Sequence, residues 1–381
     1  MKDLSERALR YLDECSDETF ALLESLCKVP APSHHEEKRA AFCLDWFKSH
    51  GAEGAYIDEA QNVVFPMNCE GRDDIIVFMA HTDTVFPDMK PLPYAKDDAY
   101  IYCPGVCDDT VCLVQMMMAV QYILKYNLKP NCGMLFVANA CEEGLGNLKG
   151  VRQIMKDYAG RISALFTIDG DYRYIVNRCV GSHRYRVTIE TEGGHSYNAF
   201  GNQNAIYYMS DLICRLYAQK VPQKEGSKTT YNVGMIEGGT SVNTIAQKVS
   251  AMYEYRSDDE ECLAFMKQSF EKEIERTKAK GVSISVELLG ERPCSGEVDE
   301  AVLQALSENC MAIQSKHSGL PCVAESGSTD CNIPMSLGVP AVCVGSFLGA
   351  GVHTREEKLQ ISSVPIGTKI VMEMILNYFE D

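Results

Sequence analysis

The sequence predicts an α/β fold, a largely parallel mixed sheet flanked by helices, interrupted by a smaller inserted α+β domain of ferredoxin-like order. Three observations predict it. Short apolar runs such as IIVFMA (75–80) and MLFVANA (134–140) alternate with helical patterns, as buried parallel strands do. From about residue 181 the texture changes to half-exposed, alternating strands and two helices in the order β-α-β-β-α-β. After GERPCSG (290–296) the strand–helix alternation resumes.

Each element follows from a local pattern. Leu4, Ala8, Leu9, Leu12, Phe20, Leu22, Leu23 and Leu26 stand at helical spacing, so residues 4–27 read as helix. APSHHEEKRAAFCLDWFKSHG reads as a second helix, with Ser33 as N-cap and Gly51 as stop. Strands are expected at 62–66 and 74–80. DTVCLVQMMMAVQYILKY (109–126) is apolar nearly all round, the signature of a buried helix. CGMLFVANAC reads as a strand, 146–157 as a short helix and ALFTID as a strand. In the insertion, HRYRVTIETEG alternates as a strand does. A helix (203–218), strands 230–237 and 249–256, a charged helix (258–278) and a strand (282–289) follow. The last part carries a helix at 298–315, the strand PAVCVGS and a closing helix at 362–379. The expected domains are 1–180 with 294–381, and the insertion 181–293.

The 381 residues, 46% of them hydrophobic, suffice for a sizeable core. Acidic residues outnumber basic ones 53 to 36, a net charge of −17, which argues against a nucleic-acid or anionic-membrane surface. The N-terminus lacks the apolar stretch of a signal peptide, and no run approaches the roughly 20 apolar residues of a membrane span. Seventeen cysteines, an odd number without a CxxC pair, read as reduced core thiols and point to the cytoplasm.

Four buried strands of the α/β part end in cation-binding side chains. IIVFMA runs into His81 and Asp83, MLFVANAC into Glu142 and Glu143, and ALFTI into Asp169. AVCVGSFLGAGV reaches His353 through a glycine-rich loop. Ligands of open α/β sheets bind outside the carboxyl ends of the strands. A histidine at one strand end, or one pair of glutamates, has an ordinary structural explanation; their coincidence at equivalent places does not. Asp108, just ahead of the apolar helix, reads as helix N-cap, as ligand, or as both.

Two histidines and several carboxylates without a thiolate cluster suit zinc, manganese or cobalt. The number of donors fits two ions about 3.5–4 Å apart sharing one carboxylate. Two divalent ions against three carboxylates and two neutral imidazoles leave one positive charge, enough to hold hydroxide. Asp83 shares a face with His81 in extended chain and is placed to accept the imidazole N–H turned away from a metal. Glu142 and Glu143 are neighbours and must diverge, so one can ligate while the other serves as general base.

The ordered set HTDTV, GVCDD, CEEG, TIDGD, GGHS, GGTSVN, SGSTD and GAGVHT spans about residues 77–357. It resembles the co-catalytic zinc exopeptidase and aminoacylase family, which includes peptidase T, carnosinase-like dipeptidases, glutamate carboxypeptidase and succinyl-diaminopimelate desuccinylase. The resemblance implies two divalent metal ions, Zn2+ foremost, with Co2+ or Mn2+ as alternatives. It implies His81 and Asp169 on one ion, Glu143 and His353 on the other, Asp108 bridging, Glu142 as base and Asp83 orienting His81. It also implies a cis peptide between Asp108 and Asp109. The family usually follows its bridging aspartate with a Lys or Gly-Gly stretch, whereas Asp109-Thr110-Val111-Cys112 stands here, with the ligand itself kept.

In the insertion, the resemblance makes His195 of EGGHS a group that reaches the active site, often from a partner subunit, to polarise the scissile carbonyl. Asn243 of GGTSVN matches a substrate-binding position, and Arg292 of ERPCSG can clamp a substrate carboxylate. Arg256 of YEYRSDD reads equally as a structural partner of nearby acids. The insertion is thus expected to be a lid or a homodimerisation domain. Ser328 in SGSTD lacks the G-x-S-x-G elbow, so a serine nucleophile is set aside.

The implied activity is metal-dependent hydrolysis of amide bonds in short peptides. Family aminopeptidases and dipeptidases tend to carry Asp at the position of Asp169, and carboxypeptidases and deacylases Glu. This favours an aminopeptidase-like di- or tripeptidase over an N-acyl-amino-acid deacylase (amidohydrolase) or a carboxypeptidase on the same scaffold. A binding protein with a degenerate site is the rival from another class, and the intact set of six site residues speaks against it.

Overall fold

Residues that are apolar on nearly every position of a strand must be covered on both faces, and the centre of the main sheet is built from such strands. The computed structural model describes residues 3–380. The sheet runs Tyr56–Ile57, Val63–Met67, Gly133–Asn139, Ile75–His81, Ile162–Ile168, Ala341–Val344, Tyr174–Cys179, Val323–Gly327. The four central strands pair in parallel, as do the last two. The other three pairings are antiparallel. Ile76, Phe78 and Ala80 enter one core with Phe136 and Phe166. The alternate residues Ile75, Val77 and Met79 enter a second core with Leu135, Val137 and Ile154.

The apolar helix Val111–Lys125 fills the first core, with every residue from Val111 to Val120 buried. The run Val106–Lys125 is long and apolar enough to cross a membrane, and 89% of its apolar window is buried inside the fold, as in a core helix. Gln115 is polar amid this surface, and its Nε2 donates to the Ser346 carbonyl (3.2 Å). Gly367 of the closing helix Ser363–Leu376 presses on the same place, where a Cβ would lie 1.7 Å from that carbonyl oxygen. No larger residue fits there.

The closing helix is also held by charge. Buried Glu373 accepts from Lys316 Nζ (2.8 and 2.9 Å) and His317 Nε2 (2.7 Å) of helix Glu300–Ser318. Burial pushes its carboxyl up, but the bonds from His317 and Lys316 outweigh that and hold it below the usual 4.5. A depressed acid stabilises the fold above its unfolded pKa, and this contribution is lost as pH falls through the folded value. Glu373→Gln should therefore be less stable than wild type at pH 6 by about 2 kcal/mol. The gap should close in denaturant titrations below pH 4; a gap that widened in acid would contradict the assignment.

The chain divides into two compact units, Met1–Cys179 with Gly296–Asp381, and Val180–Ser295. These boundaries lie one to two residues from the expected ones. In the second unit the strands run Thr229–Gly238, Lys248–Ser257, Gly181–Glu190, Ser283–Arg292, all antiparallel. This is the ferredoxin-like order. Tyr185, Val187 and Ile189 alternate inward against helices Ala205–Ala218 and Glu260–Lys278, which contribute Met209, Leu212, Met266 and Phe270.

Three expectations fail locally. Residues 4–27 form two helices, Glu6–Glu14 and Ser16–Cys27, broken at Cys15, where one was expected. Ser33 does not cap the second helix, which spans Glu37–Ser49 with Glu36 at the N-cap position. Asp108 is not the N-cap of the apolar helix either: a wide turn, Val106–Thr110, precedes it, and Thr110 is the flanking residue. Strands Tyr174–Cys179 and Val323–Gly327 have no apolar run to announce them. Nor does a small sheet of Ala95–Lys96, Tyr100–Tyr102, Lys358–Gln360 and Gly349–Ala350, which anchors the loops carrying Asp108 and His353.

Candidate metal centre

His81 is the last residue of its strand, and the parallel register places it beside Asn139, where the neighbouring strand ends. Its Nε2 lies 2.8 Å from Asp108 Oδ1. The other Asp108 oxygen, Oδ2, is 2.9 Å from His353 Nε2, which in turn lies 3.1 Å from Glu143 Oε1. One donor atom each of His81, Asp108 and Asp169 falls within a mutual 4.8 Å. So does one each of Asp108, Glu143 and His353, and of His81, Glu142 and Glu143. All six residues anticipated for the centre are thus brought together, with Asp108 common to the two groups that contain Asp169 and His353. The Asp108–Asp109 peptide is cis, as the resemblance implies.

Asp83 supports the site differently from the expectation. The nearest acceptor to His81 Nδ1 is the main-chain carbonyl of Asp83 (3.0 Å), with its carboxylate Oδ1 at 3.5 Å. That carboxylate instead gathers the amides of Glu142 (2.9 Å) and Glu143 (3.0 Å) and the hydroxyl of Ser33 (2.6 Å). The displaced cap residue has thus become a support of the site.

Four further acids or amides had no signal in the local sequence. Glu357, buried beneath the Asp108 loop, accepts from the amides of Gly105, Cys107 and Asp108 (2.8, 2.7 and 3.1 Å). Asp109 Oδ2 accepts the His81 amide (2.9 Å). Asp330, in the segment weighed for a serine nucleophile, is buried and accepts from Asn139 Nδ2 (2.6 Å). Their partners are distant in sequence, and only folding reveals them.

The electrostatics fit a cation site. Burial pushes Glu143 up to about 8, and burial followed by the charge of Asp108 pushes Asp169 up to about 7. Hydrogen bonds to Asp108 and Glu143 raise His353 to about 10. Burial also opposes ionisation of Asp108, but the bonds from His353 and His81 overcome it and hold Asp108 low. Crowded, desolvated carboxyls of this kind compete for positive charge, which divalent ions supply. The donor set, imidazole nitrogen and carboxylate oxygen without thiolate, suits such ions.

In the smaller unit, His195 and Asn243 are exposed and adjacent. The strand Gly194–His195 pairs with Thr244–Ile245, and the Ser196 amide donates to the Asn243 carbonyl (2.9 Å). Arg292 is buried and pairs with Ser182, whereas His195 lies by the Glu190 end of the same central strand. Eight residues of strand, roughly 26 Å, separate those two ends. The three expected substrate contacts are therefore not gathered within this unit. Arg256 pairs with Glu254 (3.0 Å).

A parallel α/β sheet whose carboxyl ends converge on imidazoles and carboxylates from distant segments defines a metal-dependent hydrolase. Residues 77–377 match peptidase family M20/M25/M40, and the chain belongs to that family of hydrolytic metalloenzymes. In sequence it is 22% identical over 364 residues to succinyl-diaminopimelate desuccinylase of Corynebacterium glutamicum, covering 91% of this chain and 92% of that one. Two solved structures share the fold. A tripeptidase from Staphylococcus aureus has a TM-score of 0.74 at 22% identity, over 94% of this chain and 96% of the other. The dipeptidase Dug1p from Saccharomyces cerevisiae has a TM-score of 0.76 at 15% identity, over 97% of each.

Proposed function

We propose that the protein is a di- or tripeptidase that hydrolyses the amide bond of short peptides with two divalent ions, zinc foremost. The observation that carries this reading is Asp108, whose two oxygens face His81 and His353 separately. His81 and Asp169 would hold one ion, Glu143 and His353 the other, with Asp108 shared. Ions bound there would acidify water and draw electron density from a carbonyl. Glu142 takes a proton from the attacking water and returns it to the leaving amine. Its backbone is pinned by Asp83, so the carboxylate is presented without a search. Asp83 also fixes the ring of His81.

The choice of short peptides rests on Asp169 at the third carboxylate position, and the tripeptidase and dipeptidase neighbours are consistent with it. The desuccinylase relative favours a second reading, an N-acyl-amino-acid deacylase. Incubating zinc- or cobalt-loaded protein with a dipeptide and tripeptide mixture beside an N-acyl-amino-acid mixture, read by mass spectrometry, separates the two. Cleavage confined to the acylated amino acids would reverse the order.

His195, Asn243 and Arg292 are assigned as substrate contacts on their motifs. The inserted unit is assigned as a homodimerisation or lid domain. Its outer strand Thr229–Gly238, an unpaired edge with exposed Met235 and Ile236, supports the former. The cytoplasm is the assigned compartment, where seventeen cysteines that form no disulfide stay reduced.

A further inference from the structure

Glu36 stands at the N-cap position of helix Glu37–Ser49, yet its side chain makes no bond to that helix's amides. It is 1% exposed, and a carboxylate is costly to bury without good partners. Its partners lie across the fold. Oε1 accepts from the Cys141 amide (3.0 Å), the Cys141 thiol (3.1 Å) and the His34 amide (3.0 Å).

Cys141 is where the chain leaves the strand Gly133–Asn139 and turns into Glu142. Its φ is +58°, in the left-handed region that side-chain-bearing residues seldom adopt. Glu36 binds both the amide and the thiol of this one residue. Asp83 then takes the next two amides, of Glu142 and Glu143. Three consecutive amides thus end on two buried carboxylates from other segments, and the one at the turn itself belongs to Glu36.

We propose that Glu36 is a positioning residue for the general base: by holding Cys141 in its left-handed turn, it sets the direction in which Glu142 leaves the strand. This rests on the reading of Glu142 as the base. The cysteine is part of the device, because its S–H gives Glu36 a second hold that alanine or glycine would not. Glu36 belongs to none of the three donor groups of the centre, so it acts through backbone geometry. A misplacement of about 1 Å at a reacting group can cost about 100-fold in rate.

The test compares Glu36→Met, Glu36→Gln and Glu142→Gln in zinc-loaded protein. It reads kcat and KM on the best substrate of the peptide panel, together with bound metal per chain. Glu36→Met keeps the length of the side chain but no acceptor, and kcat should fall about 100-fold with KM within about twofold and metal content unchanged. Glu36→Gln keeps Oε1 and should restore kcat to within about fivefold of wild type. A Glu36→Met kcat within about threefold of wild type overturns the proposal, as does a loss of metal or a rise in KM equal to the fall in kcat. Should Glu36→Met not fold, Cys141→Ala decides. A lower kcat at constant KM and metal content supports the proposal, and an unchanged kcat overturns it. Full activity in Glu142→Gln would instead defeat the assignment of the base, a result distinct from any of these.

Discussion

Asp108→Ala should yield a folded protein that retains less than about one divalent ion per chain after reconstitution with zinc or cobalt, and that shows no hydrolysis above background. The reason is geometric. Asp108 offers one oxygen toward His81 and the other toward His353, so a single substitution removes a donor from each of two groups. Asp169 belongs with His81 and Asp108 only, and Asp169→Ala should therefore cost one ion and leave the other. Elemental analysis by mass spectrometry on the two variants reads the difference directly. Two ions retained in Asp108→Ala would mean that this carboxylate is not shared, and the dinuclear reading would go with it.

Glu142→Gln should lower kcat by about 100- to 10,000-fold, the usual worth of a positioned general base, while both ions stay bound. Gln has the shape of Glu, and the contacts that hold this turn run from backbone amides to Glu36 and Asp83, which the substitution leaves in place. KM should therefore change little, the pattern of an interaction made only in the transition state. Steady-state kinetics paired with metal analysis provides the check. If kcat stays within about tenfold of wild type, the proton passes through another group. Neighbouring Glu143 would be the first to examine, since it lies in the same cluster.

The chemistry of the centre was legible because buried strands end abruptly in polar residues, and an apolar run makes the ending conspicuous. His81, Glu142 and Asp169 each follow such a run, and the sheet brings their ends together. The supports were illegible for the converse reason. Ser33 lies 50 residues from Asp83 and Glu36 lies 105 from Cys141, so nothing in their neighbourhood marks the partner. A serine ahead of charged, helix-forming residues reads locally as a cap, and that local reading misled. Glu357 is further still from the amides it serves, 252 residues from Gly105. Strands Tyr174–Cys179 and Val323–Gly327 carry no strand signal of their own because they are partly exposed and contain Asn, Arg, Glu and Ser. Their pairing is decided by the sheet beside them, not by their own composition.

His81, Asp108, Glu143 and Asp169 precede the inserted unit in the chain, and His353 follows it. A cation pair held by both sets would clasp the chain shut around the insertion. The entropy of closing such a loop grows only with the logarithm of its length, about 0.6 kcal/mol for each doubling. Lengthening, trimming or exchanging the insertion is accordingly a small perturbation to the clasp. Evolution is free to rebuild the inserted unit of such a protein while leaving these five residues untouched.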